Sequence, residues 1–330
     1  MRRIVAALLV LALAGSTVVL TGRGSGAPDG PFAIHAEPVM LDIADPAHVA
    51  IGDLRFVRGW TLTSEDPDFG GLSAMARDGD GFVAVGDAGG VFRFGFDAAG
   101  AISRAEIGAL PAGPLPVGGG AVQKRDRDAE AMAYDPASGR IWIGFERANG
   151  IWRYDRAFAG SDAHRRPAEM RRWPENGGAE AMVRLPDGRF LVFSEAGRGP
   201  QGSNAALLFA GDPSEEGPEP VRLGYRPPGE HRITDAALLP DGRLIVLNRS
   251  FSLVEGVSVI VTLVDLGGDL SPGRILEGRQ IARIDPPLTI DNMEALAIGE
   301  RGGRTIVWMA SDDNFNPLQR TLLLEFELQD

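Results

Sequence analysis

The apolar positions of this chain fall into short runs and not into long helical stripes. Five times, a short apolar segment leads through a turn into a second, nearly continuous apolar run that ends on a polar residue. The segments open as Gly71-Leu72-Ser73-Ala74-Met75, Asp128-Ala129-Glu130-Ala131-Met132, Gly178-Ala179-Glu180-Ala181-Met182, Ile233-Thr234-Asp235-Ala236-Ala237 and Asn292-Met293-Glu294-Ala295-Leu296. Their third positions lie 57, 50, 55 and 59 residues apart, the period of a repeated supersecondary unit. Turns such as Pro186-Asp187-Gly188 and Pro240-Asp241-Gly242 follow the openings, as hairpins require, so each opening reads as a first strand. Second strands are expected over 82–85, 141–145, 190–193, 244–247 and 305–310, where unbroken β-branched and aromatic runs indicate strands covered on both faces. Third strands are expected over 90–94, 151–154, 207–209, 257–264 and 321–328.

Three or four antiparallel strands per unit predict an all-β fold, a β-propeller with five readable blades. A sandwich would alternate apolar and polar faces instead. Segments 32–43 and 54–63 have strand character but no opening of this kind. One of them is expected to close the ring by pairing with 321–328, so that N- and C-terminal strands share the last blade; the alternative is a sixth blade with an eroded motif. The proline-rich stretches 110–120 and 211–220 are expected to connect blades, and 165–173 to be a basic surface segment.

Composition supports this picture and narrows the function. Glycine at 44 and proline at 23 suit a turn-rich architecture, and a net charge of -12 argues against a nucleic-acid partner. With no cysteine there is no disulfide and no thiolate chemistry. Met1-Arg2-Arg3, the apolar stretch Ile4 to Leu20 and the small and polar residues up to Ala27 have the layout of a secretory leader. The expected organisation is a leader over 1–27, with small residues suited to cleavage after Ala14 or Ala27, and a single propeller domain over 28–330. Export to the periplasm or the extracellular space follows; an uncleaved membrane anchor is the alternative, since the apolar stretch is near the lower limit for a span. A monomer is expected.

In a hairpin, the start of the first strand and the end of the second share one edge. Here the starts carry Ser73, Glu130, Glu180, Asp235 and Glu294, and the ends carry Asp87, Glu146, Glu195, Arg249 and Asp312-Asp313-Asn314. If first strands line the channel, these side chains surround one mouth of it. Crowded carboxylates either retain protons or bind cations, and oxygen donors without thiolate or a placed histidine suit calcium, with magnesium as the alternative. The candidate metal ligands are Asp87, Glu130, Glu146, Glu180, Glu195, Asp235, Glu294 and Asp312. The competing structural role is that such acids accept backbone hydrogen bonds and close the ring. Arg249 is the natural anion contact, with Arg147 and Arg198 as weaker ones. Ser73 and Asn314 are further substrate-binding candidates. No G-x-S-x-G elbow, Walker loop or dinucleotide fingerprint occurs, and His35, His48, His164 and His231 show no repeat register, which disfavours a serine triad.

Phe69-Gly70-Gly71-Leu72-Ser73, the openings around Glu130 and Glu180, Leu247-Asn248-Arg249-Ser250, Asp291-Asn292-Met293-Glu294 and Ser311-Asp312-Asp313-Asn314-Phe315 together resemble the exported phytase-like domain family, "esterase-like activity of phytase". The resemblance implies a propeller hydrolase of phosphate or carboxylic esters, with a small-molecule ester or phosphoester as partner and no membrane partner beyond the leader. Ala74 and the Thr234-Asp235-Ala236 opening depart from the family pattern. The residues themselves suggest Glu180 or Glu294 to activate water and Arg249 to hold the anionic group. A calcium-dependent lactone hydrolase and a non-enzymatic binding scaffold of the cell envelope are the alternatives.

Overall fold

The computed structural model describes residues 31–116, 122 and 124–329; the expected leader and part of the first proline-rich connection lie outside them. The described strands form five antiparallel units. Blade 1 is Leu72–Asp78, Gly81–Gly86, Gly90–Phe96 and Ile102–Ala109. Blade 2 is Ala129–Asp135, Arg140–Phe145, Gly150–Tyr154 and Ser161–Arg165. Blade 3 is Ala179–Arg184, Phe190–Arg198, Asn204–Phe209 and Val221–Arg226. Blade 4 is Arg232–Leu238, Leu244–Ser252, Gly256–Val264 and Ile275–Ile284. Blade 5 runs Met293–Arg301, Arg304–Ser311, Thr321–Leu328, and is completed by Leu54–Thr63 and then His35–Val39. The innermost strands pack side by side from blade 1 to blade 5 and back to blade 1, which closes the ring. The propeller read from the sequence is therefore the fold, and Leu54–Thr63 is the closing strand, with Leu54 opposite Leu328 and Leu62 opposite Thr321.

The middle stretches of the second strands are apolar because each one serves two interfaces. In blade 2, Ile141 and Ile143 face Val83 and Val85 of blade 1, while Trp142 between them packs with Val192 of blade 3. The same alternation places Phe193 with Val246, Leu247 with Met309, and Trp308 with Ala84. Five apolar clusters result, each between two neighbouring blades. Full burial of one such large side chain stabilises by roughly 1.5–3 kcal/mol, so the strand pattern itself holds the blades together. Hairpin turns are set by Gly188 and Gly242, at φ 89 and 88, where a side chain would be strained.

Two sequence expectations change. Residues 211–220 connect the third and fourth strands of blade 3 and so lie within a blade, because Asn204–Phe209 pairs with Val221–Arg226. Segment 165–173 is basic and exposed only in part: Met170 and Trp173 are buried against blades 2 and 3. Blades 3 and 4 are also joined directly, by parallel pairing of Gly224 with Ile275, and by a buried bond from the Tyr225 hydroxyl to Asn248 Oδ1 at 2.8 Å. No described helix is long and apolar enough to cross a membrane.

Candidate functional site

Each first strand carries one extra residue near its start, a β-bulge against the second strand. The extra residue is Ser73 in blade 1, Glu130 in blade 2, Glu180 in blade 3, Thr234 in blade 4 and Glu294 in blade 5. A bulge leaves one residue outside the ladder and re-aims its side chain. The residue that ends the second strand is fixed just as regularly. The amides of Asp87, Glu146, Glu195 and Asp312 donate to the carbonyls of Gly71, Asp128, Gly178 and Asn292, each two residues before the bulge, and Arg249 pairs with Arg232 in the same register. The ring of sequence-predicted residues thus assembles at one mouth, with one substitution: Thr234, not Asp235, occupies the bulge of blade 4.

Asp235 lies one position further along and faces the blade interface. Its Oδ1 accepts from the amide of Ala236 and its Oδ2 from the amide of Leu296, both at 2.7 Å, so it clamps blade 4 to blade 5. This is the ring-closing role weighed for such acids. Thr234 itself is buried and its hydroxyl donates to the Met293 carbonyl. Ser73 is buried too, with its hydroxyl on the Gly71 carbonyl at 3.2 Å. Asn314 is exposed on the rim at φ 49, and its amide donates to Asp312 Oδ1.

The remaining carboxylates converge. Carboxylate oxygens of Glu146, Glu180 and Glu195 lie within 4.8 Å of one another. Glu146 also accepts from the amide of Gly177, and Arg232 Nη1 donates to Glu195 Oε2 at 3.1 Å. Across the mouth, Glu294 Oε1 takes Asn292 Nδ2 at 2.8 Å and Arg249 Nη2 at 3.2 Å. Asp87 Oδ2 meets Lys124 Nζ at 2.5 Å, while its Oδ1 is buried without a hydrogen-bond partner among the described residues. The carboxylate fits there because residue 71 is glycine at φ 63: a Cβ would lie 2.5 Å from Asp87 Oδ1. Asp313 anchors the same corner, its Oδ1 accepting from the amide of Gly71 and its Oδ2 from the Thr321 hydroxyl.

Lys124, Asp128 and Asp313 complete the charge pattern and were not among the predicted site residues. Asp128 stands in the blade 2 opening, two residues before Glu130, where the repeat itself could have flagged it; it pairs with Arg147 Nε at 3.2 Å. Asp313 lies in the run already singled out. Lys124 sits in a connection outside the repeat, so nothing in the period marks it. Of the weaker anion candidates, Arg147 is thus engaged, and Arg198 lines a cleft of about 540 Å³ beside blade 3 together with Arg172, Trp173 and Arg222.

Burial is the largest cause that raises the acids. Glu130 is pushed well above the ordinary glutamate value by burial and then by Glu180 and Glu294; Glu180 by burial and then by Glu195 and Glu146. Burial followed by Glu294 and Asp87 raises Asp312, and burial brings Glu146 to about 7. Burial likewise raises Asp87 and Glu294, against the lowering influence of Lys124 and Arg249 respectively. A carboxylate raised on folding lends stability that is fully present below its unfolded value and is lost as pH rises through its folded value. The window therefore runs upward from the ordinary carboxylate range to about 7 and beyond. Arginine-paired acids such as Glu325 and Asp212, which are lowered, titrate below it, and His231 alone is resolved in the opposite sense. In the presence of a chelator, the melting temperature should fall between about pH 5 and about pH 8, and calcium should reverse the fall. A melting temperature that is flat or rises over that interval, without calcium, would contradict the charge crowding described here.

Among solved structures, the fold is similar to a glutaminyl cyclase from Myxococcus xanthus, at 12% identity over 84% of this chain and 97% of that one, with a TM-score of 0.47. It is also similar to a gluconolactonase from Xanthomonas campestris, at 12% identity over 91% and 99%, TM-score 0.43. A third is the Swd1 β-propeller domain from Myceliophteria thermophila, at 12% identity over 75% and 67%, TM-score 0.37. Comparison with curated proteins gives no match. The family model described as "Esterase-like activity of phytase" matches residues 67–315, from Pro67, just ahead of the glycine pair at 70 and 71, to Phe315 on the blade 5 rim. The chain belongs to the phytase-like family.

Proposed function

We propose that this protein is an exported, cation-dependent hydrolase of phosphate or carboxylic esters that works at the acidic mouth. The observation that carries this reading is the group Glu146, Glu180 and Glu195, three carboxylates from two blades with oxygens within 4.8 Å. Like charges so close are stable only when protonated or shared by a cation. The donors are all hard oxygens, which fits calcium first and magnesium second. Bound there, calcium would offset the crowded charge and polarise an ester or phosphoryl oxygen.

The chain's own groups supply the rest. Arg249 is held by Glu294, while its Nε is buried and has no acceptor among the described residues. A buried cationic donor without a partner is costly, and an anionic group of the substrate would satisfy it. Glu294 and Glu180, with proton affinities raised by burial, would take a proton from water. Asn292 fixes the orientation of Glu294 through its 2.8 Å bond.

Calcium should raise the melting temperature, with stabilisation of about 2.7 kcal/mol at a hundredfold excess over its dissociation constant. The pair Glu180→Gln and Glu195→Gln should remove that response and make the metal-free protein more stable than wild type. A retained response would place the cation elsewhere. Assays of phosphate monoesters, carboxylic esters and lactones with and without calcium decide the activity: turnover of lactones alone would favour the lactone hydrolase, and no turnover together with no calcium response the scaffold.

For Arg249, the expected effect of Arg249→Lys is selective. The charge survives but the planar fork does not, so kcat/KM for an anionic ester should fall by about tenfold or more while that for a neutral ester holds. An unchanged ratio returns Arg249 to a structural role. Export is tested by the intact mass of protein from its native host, which should lack the leader; retention of Met1 would indicate an anchor.

A further inference from the structure

The blade 4 hairpin carries chemistry on the side of the strand away from the mouth. Arg249 and Ser250 are neighbours in a regular ladder, so their side chains leave opposite faces. Arg249 turns to Glu294 of blade 5, whereas Ser250 shares the face of Asn248, which bonds Tyr225 of blade 3. On that face His231, from the connection entering blade 4, sets its Nε2 3.2 Å from Ser250 Oγ and 3.0 Å from Ser258 Oγ. Ser250 and Ser258 are cross-strand partners, so the ladder holds both hydroxyls against one imidazole.

One neutral ring nitrogen can accept from only one hydroxyl. The Pro228 carbonyl accepts from the backbone amide of His231 at 3.1 Å, which fixes the turn that carries the imidazole. Ser258 is buried whereas Ser250 is only half-buried, and close by Arg283 Nε donates to Asp285 Oδ2 at 2.6 Å. Ser250 has no hydrogen bond to any acceptor but His231 among the described residues. Of the two hydroxyls on the imidazole, Ser250 is therefore the one a substrate can reach, with His231 as its acceptor. Burial, and then Arg283, lowers the histidine's proton affinity and keeps it neutral near pH 7. Ser250 and His231 are each only half-buried, and the residues that follow, Phe251, Leu253 and Val254, are exposed apolar side chains at the hairpin tip.

We propose that Ser250 and His231 form a metal-independent serine esterase dyad on blade 4, beside the mouth, taking uncharged carboxylic esters with an apolar acyl group. Ser250 Oγ attacks the ester carbonyl carbon as its proton passes to His231 Nε2. Collapse of the tetrahedral species breaks the bond to the alcohol oxygen, which leaves with that proton. Water then repeats the transfer on acyl-Ser250, releasing the carboxylic acid and restoring the hydroxyl. Arg283, fixed by Asp285, is the positive group facing the pair. The apolar tip accounts for the acyl preference, since a bare hydrophobic patch beside a nucleophile is a contact for chain atoms.

The test uses the full protein and a reporter-tagged fluorophosphonate, which transfers its phosphonyl group to an activated serine with loss of fluoride. Mass spectrometry of the digest should place the label on Ser250 in wild type. Chelator should leave the labelling unchanged, which separates this site from the cation-dependent one. His231→Gln should slow labelling by about a hundredfold or more, the usual contribution of a general base. Ser252→Ala, at an exposed serine two residues on, should not change it. Hydrolysis of a medium-chain neutral ester in chelator should be lost with Ser250→Ala. Absence of label from wild type, label on Ser258 in place of Ser250, or labelling that is indifferent to His231→Gln would each overturn the proposal, whatever the mouth proves to do.

Discussion

At five equivalent points the inner strand of a blade carries one residue more than its partner, and that surplus residue decides where charge can gather. Without the bulge, Glu130, Glu180 and Glu294 would be ordinary members of a ladder with side chains directed between blades, where no ion is tolerated unpaired. With it, they turn out of the packed interface while the residues on either side stay in it. Ala129 and Ala131 are both fully buried, yet Glu130 between them is not. The apolar blade contacts and the acidic mouth are therefore one design, since a strand must be held from both sides before it can present an acid against repulsion.

The repulsion is met in different ways around the ring. On the blade 1 side a cation of the chain itself, Lys124, lies on Asp87 and also over the Phe315 ring at 5.0 Å. Beside blade 5, Arg249 and Asn292 share Glu294. Between blades 2 and 3, the triad of glutamates has Gly177 on Glu146 and Arg232 on Glu195 at its margins, while its three oxygens lie within 4.8 Å of one another. The charge is therefore uneven around the ring, most negative between blades 2 and 3 and partly offset on the Arg249 side. It also ties the mouth to stability in a simple way, because the acids gathered there are those that favour the protonated state on folding.

How much of this the sequence discloses depends on whether a residue obeys the repeat. The blades and their order were legible because every blade repeats the same burial problem with the same residue types, while the closing strand, which lacks the opening motif, was narrowed only to 32–43 or 54–63. The strand ends Asp87, Glu146, Glu195, Arg249 and Asp312 were legible for the same reason. Blade 4 misled at one position: Asp235 looks like the third residue of an opening, but the bulge, invisible in composition, puts Thr234 there and sends Asp235 to the backbone of blade 5. Lys124 and His231 come from connections, whose lengths vary from blade to blade, so no period points at them. The pairing of 204–209 with 221–226 across a long proline-rich loop was hidden likewise, since a loop's composition does not say which strands it joins.

The closing strand has one more consequence, for the order of events during folding. Leu54–Thr63 is made early and Thr321–Leu328 late, and the two pair over their full length, with Gly59 opposite Leu324. Until the later strand emerges, the earlier one exposes an edge that includes Trp60 and Leu62, both buried in the finished ring. Four blades can stack along the nascent chain from neighbour to neighbour, but the seam is a contact between distant parts of the sequence, and contacts of that kind form slowly. The chain therefore passes through a period in which its future mouth is an open arc, with its glutamates spread apart and still in water. The mutual repulsion of the ring is imposed last, in the step that the hydrophobic seam of blade 5 is best able to drive.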